Sequence, residues 1–148
     1  MATRNRPHMV RQTHTDSCWA AVLESWSRSD SRVGGGALRQ QPLIDRWGEG
    51  PTGGITPASK IPLIASAYQL QMPTARFRYV TAFLERTLAT SYVFCVYFDG
   101  QSGFMHTVLV YSVENGNVTA MDPNRGPART WTGSDFEAYG SYNVLFKA

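Results

Sequence analysis

At 148 residues the chain is long enough to bury one hydrophobic core and short for two, so it reads as a single domain spanning residues 1–148. With 43% hydrophobic, 12% aromatic and 17% charged residues, its composition excludes a disordered or fibrous chain. The net charge of +3 is scattered, densest at Arg4, Arg6 and Arg11, and lacks the clustered basic stripe that a nucleic-acid partner requires.

Residues 1–11 are polar and basic and read as an arm laid over the body. Asp16 is the expected N-cap of a helix over Cys18–Arg28, in which Cys18, Ala21, Val22, Ser25 and Trp26 recur at helical spacing and form the inward face. Gly34-Gly35-Gly36 breaks the chain, and Ala37–Trp47 predicts a second short helix. Gly48–Pro57 is a glycine- and proline-rich loop. Thr56 or Ser59 opens a third helix to about Gln69, and Thr81–Ala89 reads as a fourth.

The second half changes character. Ser91–Phe98 is a near-continuous apolar run, the mark of a strand buried on both faces. Phe104–Val113 and Asn117–Met121 flank Glu114-Asn115-Gly116, a hairpin signal. Ala128–Thr132 and Tyr142–Lys147 are further strands. Helices first and antiparallel strands second describe an α+β domain with one core, its cleft lying where the first helix meets the sheet. No run approaches a membrane span, and the N-terminus lacks the apolar segment of a signal peptide, so neither a membrane partner nor signal-led export is expected.

The chemistry concentrates in Gln12-Thr13-His14-Thr15-Asp16-Ser17-Cys18-Trp19-Ala20-Ala21. Cys18 falls where a helix begins, and there the free backbone N–H groups and the helix dipole favour a negative sulfur. Gln12, six residues upstream in a loop, is placed to donate to an oxyanion forming beside that sulfur. The second cysteine, Cys95, lies inside an apolar run and reads as a buried core thiol; a Cys18–Cys95 disulfide is the alternative that the count of two allows.

His106 opens one hairpin strand and Asp122 follows the next, which sets a parity test. A strict two-residue turn at Asn115-Gly116 pairs Glu114 with Asn117 and puts Asp122 opposite Leu109, on the wrong face for His106. A three-residue turn with a bulge at Gly116 shifts the register by one, so that Asp122 falls opposite Val108 and Asn124 opposite His106. The bulged turn is the expectation, with Asp122 accepting the Nδ1 proton of His106 and orienting the ring toward Cys18. Singly these residues have ordinary readings: a histidine at a strand start is usually a surface or core residue, Asp122-Pro123 is a common turn, and a helical cysteine is more often core. The set of four carries the inference.

Taken together, the six-residue Gln-to-Cys spacing, the tetrad Cys18-Trp19-Ala20-Ala21 and the order Gln, Cys, His, Asp resemble the papain-like cysteine peptidases. Within them, the His106 strand followed by a strand ending in Asp122-Pro123-Asn124-Arg125-Gly126 is similar to the bacterial peptidases that remove double-glycine leaders. The resemblance covers residues 12–30 and roughly 80–146; residues 31–79 match nothing recognisable. It implies a papain-like fold with N-terminal helices packed on a C-terminal antiparallel sheet. It also implies Cys18 as nucleophile, His106 as general base and acid, Asp122 as orienting acid, and Gln12 with the Cys18 N–H as the oxyanion hole. Trp19 matches the packing aromatic after the nucleophile, and Trp19 and Asn124 are the near-site candidates for substrate contact.

The implied activity is endoproteolysis of a protein substrate without metal or cofactor. A small free-standing version of this kind further resembles bacterial peptidase toxins and effectors, delivered into a target cell's cytoplasm and paired with an immunity protein; cytoplasmic residence in the producing cell is the other location. Glutamine deamidation or transglutamination by the same triad is the first rival, and a non-catalytic binding module the second. A metal site from His8, His14, Cys18 and His106 fits no zinc spacing.

Overall fold

The structure is a computed structural model and describes residues 2–73, 80–99, 104–124, 128–140 and 142–148. Its first long element is α1 (Cys18–Ser29), buried from Cys18 through Ser27 and therefore the helix around which the domain is built. Leu23 and Trp26 of this helix are wholly buried and anchor one core, shared with Leu43, Ile61, Ile64, Phe94, Val96, Leu109 and Met121. Helices α2 (Gln40–Trp47) and α3 (Pro57–Ala67) complete that side. Thr56 is the N-cap of α3 and Pro57 sits in its first turn, where a missing N–H costs nothing. Helix α4 (Thr81–Thr87) runs close to the expected span.

The sheet follows in the second half: β2 (Val93–Asp99), β3 (Phe104–Glu114), β4 (Asn117–Met121), β5 (Ala128–Thr132) and β6 (Tyr142–Phe146), in the antiparallel order β5-β4-β3-β2-β6. Strand β2 lies between β3 and β6, and its alternation feeds two cores. Phe94 and Val96 face α1, while Val93, Cys95 and Tyr97 face a second cluster with Leu84, Trp131 and Phe136. This is the α+β architecture expected from the helix and strand patterns.

Gly34–Gly36, expected only as a break, forms a short 3-10 turn, and two further short elements among the described residues were not expected. Helix α5 (Gly133–Glu137) is capped by Thr132, whose hydroxyl accepts the Asp135 N–H at 3.1 Å. Part of the N-terminal arm is a strand: β1 (Ala2–Thr3) pairs with Val113 and Ser112 of β3. Thus β3 has β2 along one edge up to Val110, and β1 on the same strand only from Ser112 onward.

That change of partner coincides with the feature that sets the register between His106 and Asp122. The β3–β4 turn is tight, with Glu114 opposite Asn117 and positive φ of 54° at Asn115 and 76° at Gly116. The expected bulge at Gly116 is therefore incorrect. The ladder instead slips between Val110, opposite Ala120, and Ser112, opposite Thr119, so Tyr111 is the extra residue. Its carbonyl accepts the Arg4 N–H at 2.8 Å, which ties the bulge to the N-terminal strand. Beyond it Leu109 faces Met121, and the next step places Asp122 across from Val108. The expected register holds for a different reason.

Candidate active site

Cys18 occupies the first position of α1. Ser17, not Asp16, is the N-cap, and it makes no side-chain capping bond. Its hydroxyl is engaged in the preceding loop: it accepts the His14 N–H at 3.0 Å and lies 3.2 Å from His14 O and 3.0 Å from Gln40 Oε1. The first turn is thus left without the usual side-chain acceptor, and among the described residues no carbonyl takes the Cys18 N–H. A helix start with unclaimed N–H groups is a place for developing negative charge.

His106 lies on β3 directly across from Tyr97 of β2, whose ring meets the imidazole edge-on at 5.7 Å between centroids. Nε2 of His106 is 3.0 Å from Asp122 Oδ1, so the carboxylate engages Nε2 and not Nδ1 as expected. The Cys18 side chain lies near the same ring and favours its charged form, with Nδ1 the ring nitrogen that Asp122 leaves open. Burial disfavours charge on the ring, but the Asp122 hydrogen bond, the nearby Cys18 side chain and the Asp122 charge outweigh it and raise the imidazole pKa to about 9. The ring is therefore held as an imidazolium between a carboxylate and a sulfur at neutral pH.

Asp122 is completely buried and well partnered. Oδ1 also accepts the Asn124 backbone N–H at 3.0 Å, so Asn124 touches the site through its main chain while its side chain is exposed. Arg129 of β5 approaches Oδ2 with Nη1 at 3.8 Å, and its guanidinium lies over the Trp131 ring at 4.6 Å. Neither Arg129 nor Tyr97 stood out in the sequence, because both reach the site only through strand pairing. Arg125 and Gly126, part of the Asp-Pro-x-x-Gly element, lie outside the described residues.

Gln12 is held beside Asp122 by its backbone N–H, which donates to Pro123 O at 3.1 Å. Its side-chain amide donates to His14 O at 3.0 Å and Thr15 O at 2.7 Å, and Oε1 is buried without a partner among the described residues. Both amide hydrogens are therefore given to the loop leading to Cys18, and one must be released before Gln12 can donate to an oxyanion.

A cleft of about 310 Å³ opens beside Cys18. Val96, Met105 and Thr107 form its sheet wall, and Glu49, Ile55, Thr56, Pro57 and Ile61 the opposite one. That second wall comes from the 31–79 stretch that matched nothing recognisable. Trp19 joins it to α1: the indole is buried and its Nε1–H donates to Gly53 O at 2.8 Å. Gly53 has a φ of +74°, and a Cβ there would lie 3.2 Å from His14 Cβ, so glycine lets this wall close on the loop that leads to Cys18.

No family model matches the chain, and no curated protein matches it in sequence. Among solved structures it is similar to the peptidase domain of Streptococcus ComA, a bi-functional ABC transporter involved in a quorum sensing pathway. The two share 17% sequence identity with a TM-score of 0.68, and the match covers 96% of this chain and 98% of that one. Agreement over nearly all of both chains shows that the chain has the papain-like α+β fold of that peptidase domain.

Proposed function

We propose that the protein is a papain-like cysteine endopeptidase acting on a protein substrate through Cys18, His106 and Asp122. The observation that carries this reading is His106 bonded at 3.0 Å to buried Asp122 with Cys18, at the start of α1, close enough to raise the imidazole pKa. The Cys18 thiolate adds to an amide carbonyl, and the resulting oxyanion is received by the Cys18 N–H and the Gln12 amide. His106, already protonated, gives its proton to the leaving amine as the C–N bond breaks. It then takes a proton from water, whose hydroxyl oxygen attacks the thioester and regenerates the thiolate. Asp122 keeps the ring oriented throughout.

The test is to express wild type and Cys18→Ala in a bacterium and compare new protein termini and growth. New termini that appear only with wild type support the peptidase. A modified substrate that stays intact, gaining about one dalton or an amine, assigns deamidase or transglutaminase chemistry to the same triad. A growth defect that depends on Cys18 is the signature of the toxin or effector role.

A further inference from the structure

Gln12 has two demands on one amide group. At rest it braces the loop by donating to His14 O and Thr15 O, yet the peptidase reading requires it to turn a hydrogen toward the oxyanion. If those bonds were the loop's main support, catalysis would loosen the loop that carries Cys18. A second glutamine, from a different helix, removes the conflict.

Gln40 opens α2 and is buried at 5% exposure. Its Oε1 accepts the Thr13 backbone N–H at 2.8 Å and lies 3.0 Å from Ser17 Oγ, and its Nε2 donates to Arg11 O at 3.1 Å. These contacts grip the chain on both sides of Gln12 and just before Cys18. Gln40 is itself fixed to the nucleophile helix, because its backbone N–H donates to Glu24 Oε1 at 2.7 Å. The other oxygen of Glu24 accepts from Arg28 at 3.0 Å, which completes the anchorage on α1.

We infer that Gln40 is a positioning residue for the oxyanion hole, holding the 11–17 loop so that the Gln12 amide is free to leave its resting acceptors during the reaction. The inference rests on the peptidase reading and acts through Gln12. Supporting side chains of this kind govern whether a donor is presented within the fraction of an ångström that oxyanion stabilisation demands.

The experiment compares two probes of Cys18 that need no natural substrate. p-Nitrophenyl acetate acylates the sulfur through a tetrahedral oxyanion, whereas iodoacetamide alkylates it by direct displacement with no oxyanion. Gln40→Ala is expected to slow acylation by roughly ten- to a hundredfold, part of the whole effect of an oxyanion donor, and to leave alkylation unchanged. In a Gln12→Ala background the same substitution is expected to add almost nothing, because the residue through which it acts is gone. Gln40→Met keeps the length of the side chain but neither its acceptor contacts nor the donation to Arg11 O; it should show the same probe-selective slowing and serves if the alanine protein does not fold.

Equal slowing of both probes overturns the inference, since it marks general disruption of the loop. So do unchanged acylation, and losses that multiply in full with Gln12→Ala. The triad itself is judged separately by His106→Ala, which must slow both probes.

Discussion

His106 and Asp122 meet at 3.0 Å because β3 carries one more residue than β4 between the turn and the site, and that residue is Tyr111. The tight Asn115-Gly116 turn alone would leave them on opposite faces. The register is thus decided inside the ladder, where β1 takes over beside β3 and Arg4 binds the Tyr111 carbonyl.

Gly116→Ala separates turn from register. Gly116 has a φ of +76° and open space around its Cα, so an alanine there meets backbone strain and no clash. The expected cost is about 1–2 kcal/mol of stability, seen as a lowered urea midpoint. Because the bulge at Tyr111 holds the register, the Cys18 alkylation rate of the folded protein should not change. A large loss of Cys18 reactivity in folded Gly116→Ala would return control of the register to the turn.

The pH dependence follows from His106. Its pKa is about 9 in the folded protein against about 6.5 unfolded, so the folded state binds the proton more tightly. The stability this contributes is complete below about 6.5 and is lost as pH rises through about 9. The ability to protonate a leaving amine disappears over the same rise, giving an alkaline limb in the cleavage rate centred near 9. Imidazole NMR titration of the folded protein measures the pKa directly; an ordinary value near 6.5 would contradict the ion-pair description.

Asp122→Asn tests the orienting acid. The amide keeps an oxygen near Nε2 but removes the charge that helps hold the proton, while the burial that opposes it remains. The His106 titration should move down from about 9, and cleavage should fall on the order of 10²–10⁴-fold with the fold retained. Unchanged titration would mean that Asp122 does not set the charge of the ring.

The elements that carry this chemistry were legible because each has a local cause. The start of α1 at Cys18, the β3–β4 hairpin and the two-sided burial of β2 follow from side-chain periodicity and turn residues. The bulge was not legible, because its position depends on where β1 displaces β2 from β3, a contact between residues more than a hundred positions apart. The same holds for Gln40 and Arg129, which have ordinary surroundings in sequence and reach the site only through tertiary packing.

The two thiols should react very differently. Cys95 is fully buried in the second core, and burial alone pushes its pKa far up, so it has little thiolate and no access. Cys18 lies at 8% exposure on the cleft beside His106. Iodoacetamide should add a single group to the native protein, at Cys18, and a second only after denaturation, as read by intact mass. Native labelling at Cys95 would show that the core opens on the labelling timescale.

Trp19→Phe probes the joint between α1 and the cleft wall. Phenylalanine refills most of the buried ring volume but removes the Nε1–H that satisfies Gly53 O at 2.8 Å. A buried carbonyl left unpaired costs about 1–3 kcal/mol, so the urea midpoint should fall by a corresponding amount. The chemical step should suffer less than binding: Cys18, His106 and Asp122 do not depend on that bond, whereas the wall of Glu49, Ile55 and Thr56 does. The expected kinetic signature on a cleaved substrate is a raised KM with kcat little altered. A fall in kcat with KM unchanged would place Trp19 in the positioning of Cys18 itself, and the Gly53 loop would no longer be required as a substrate wall.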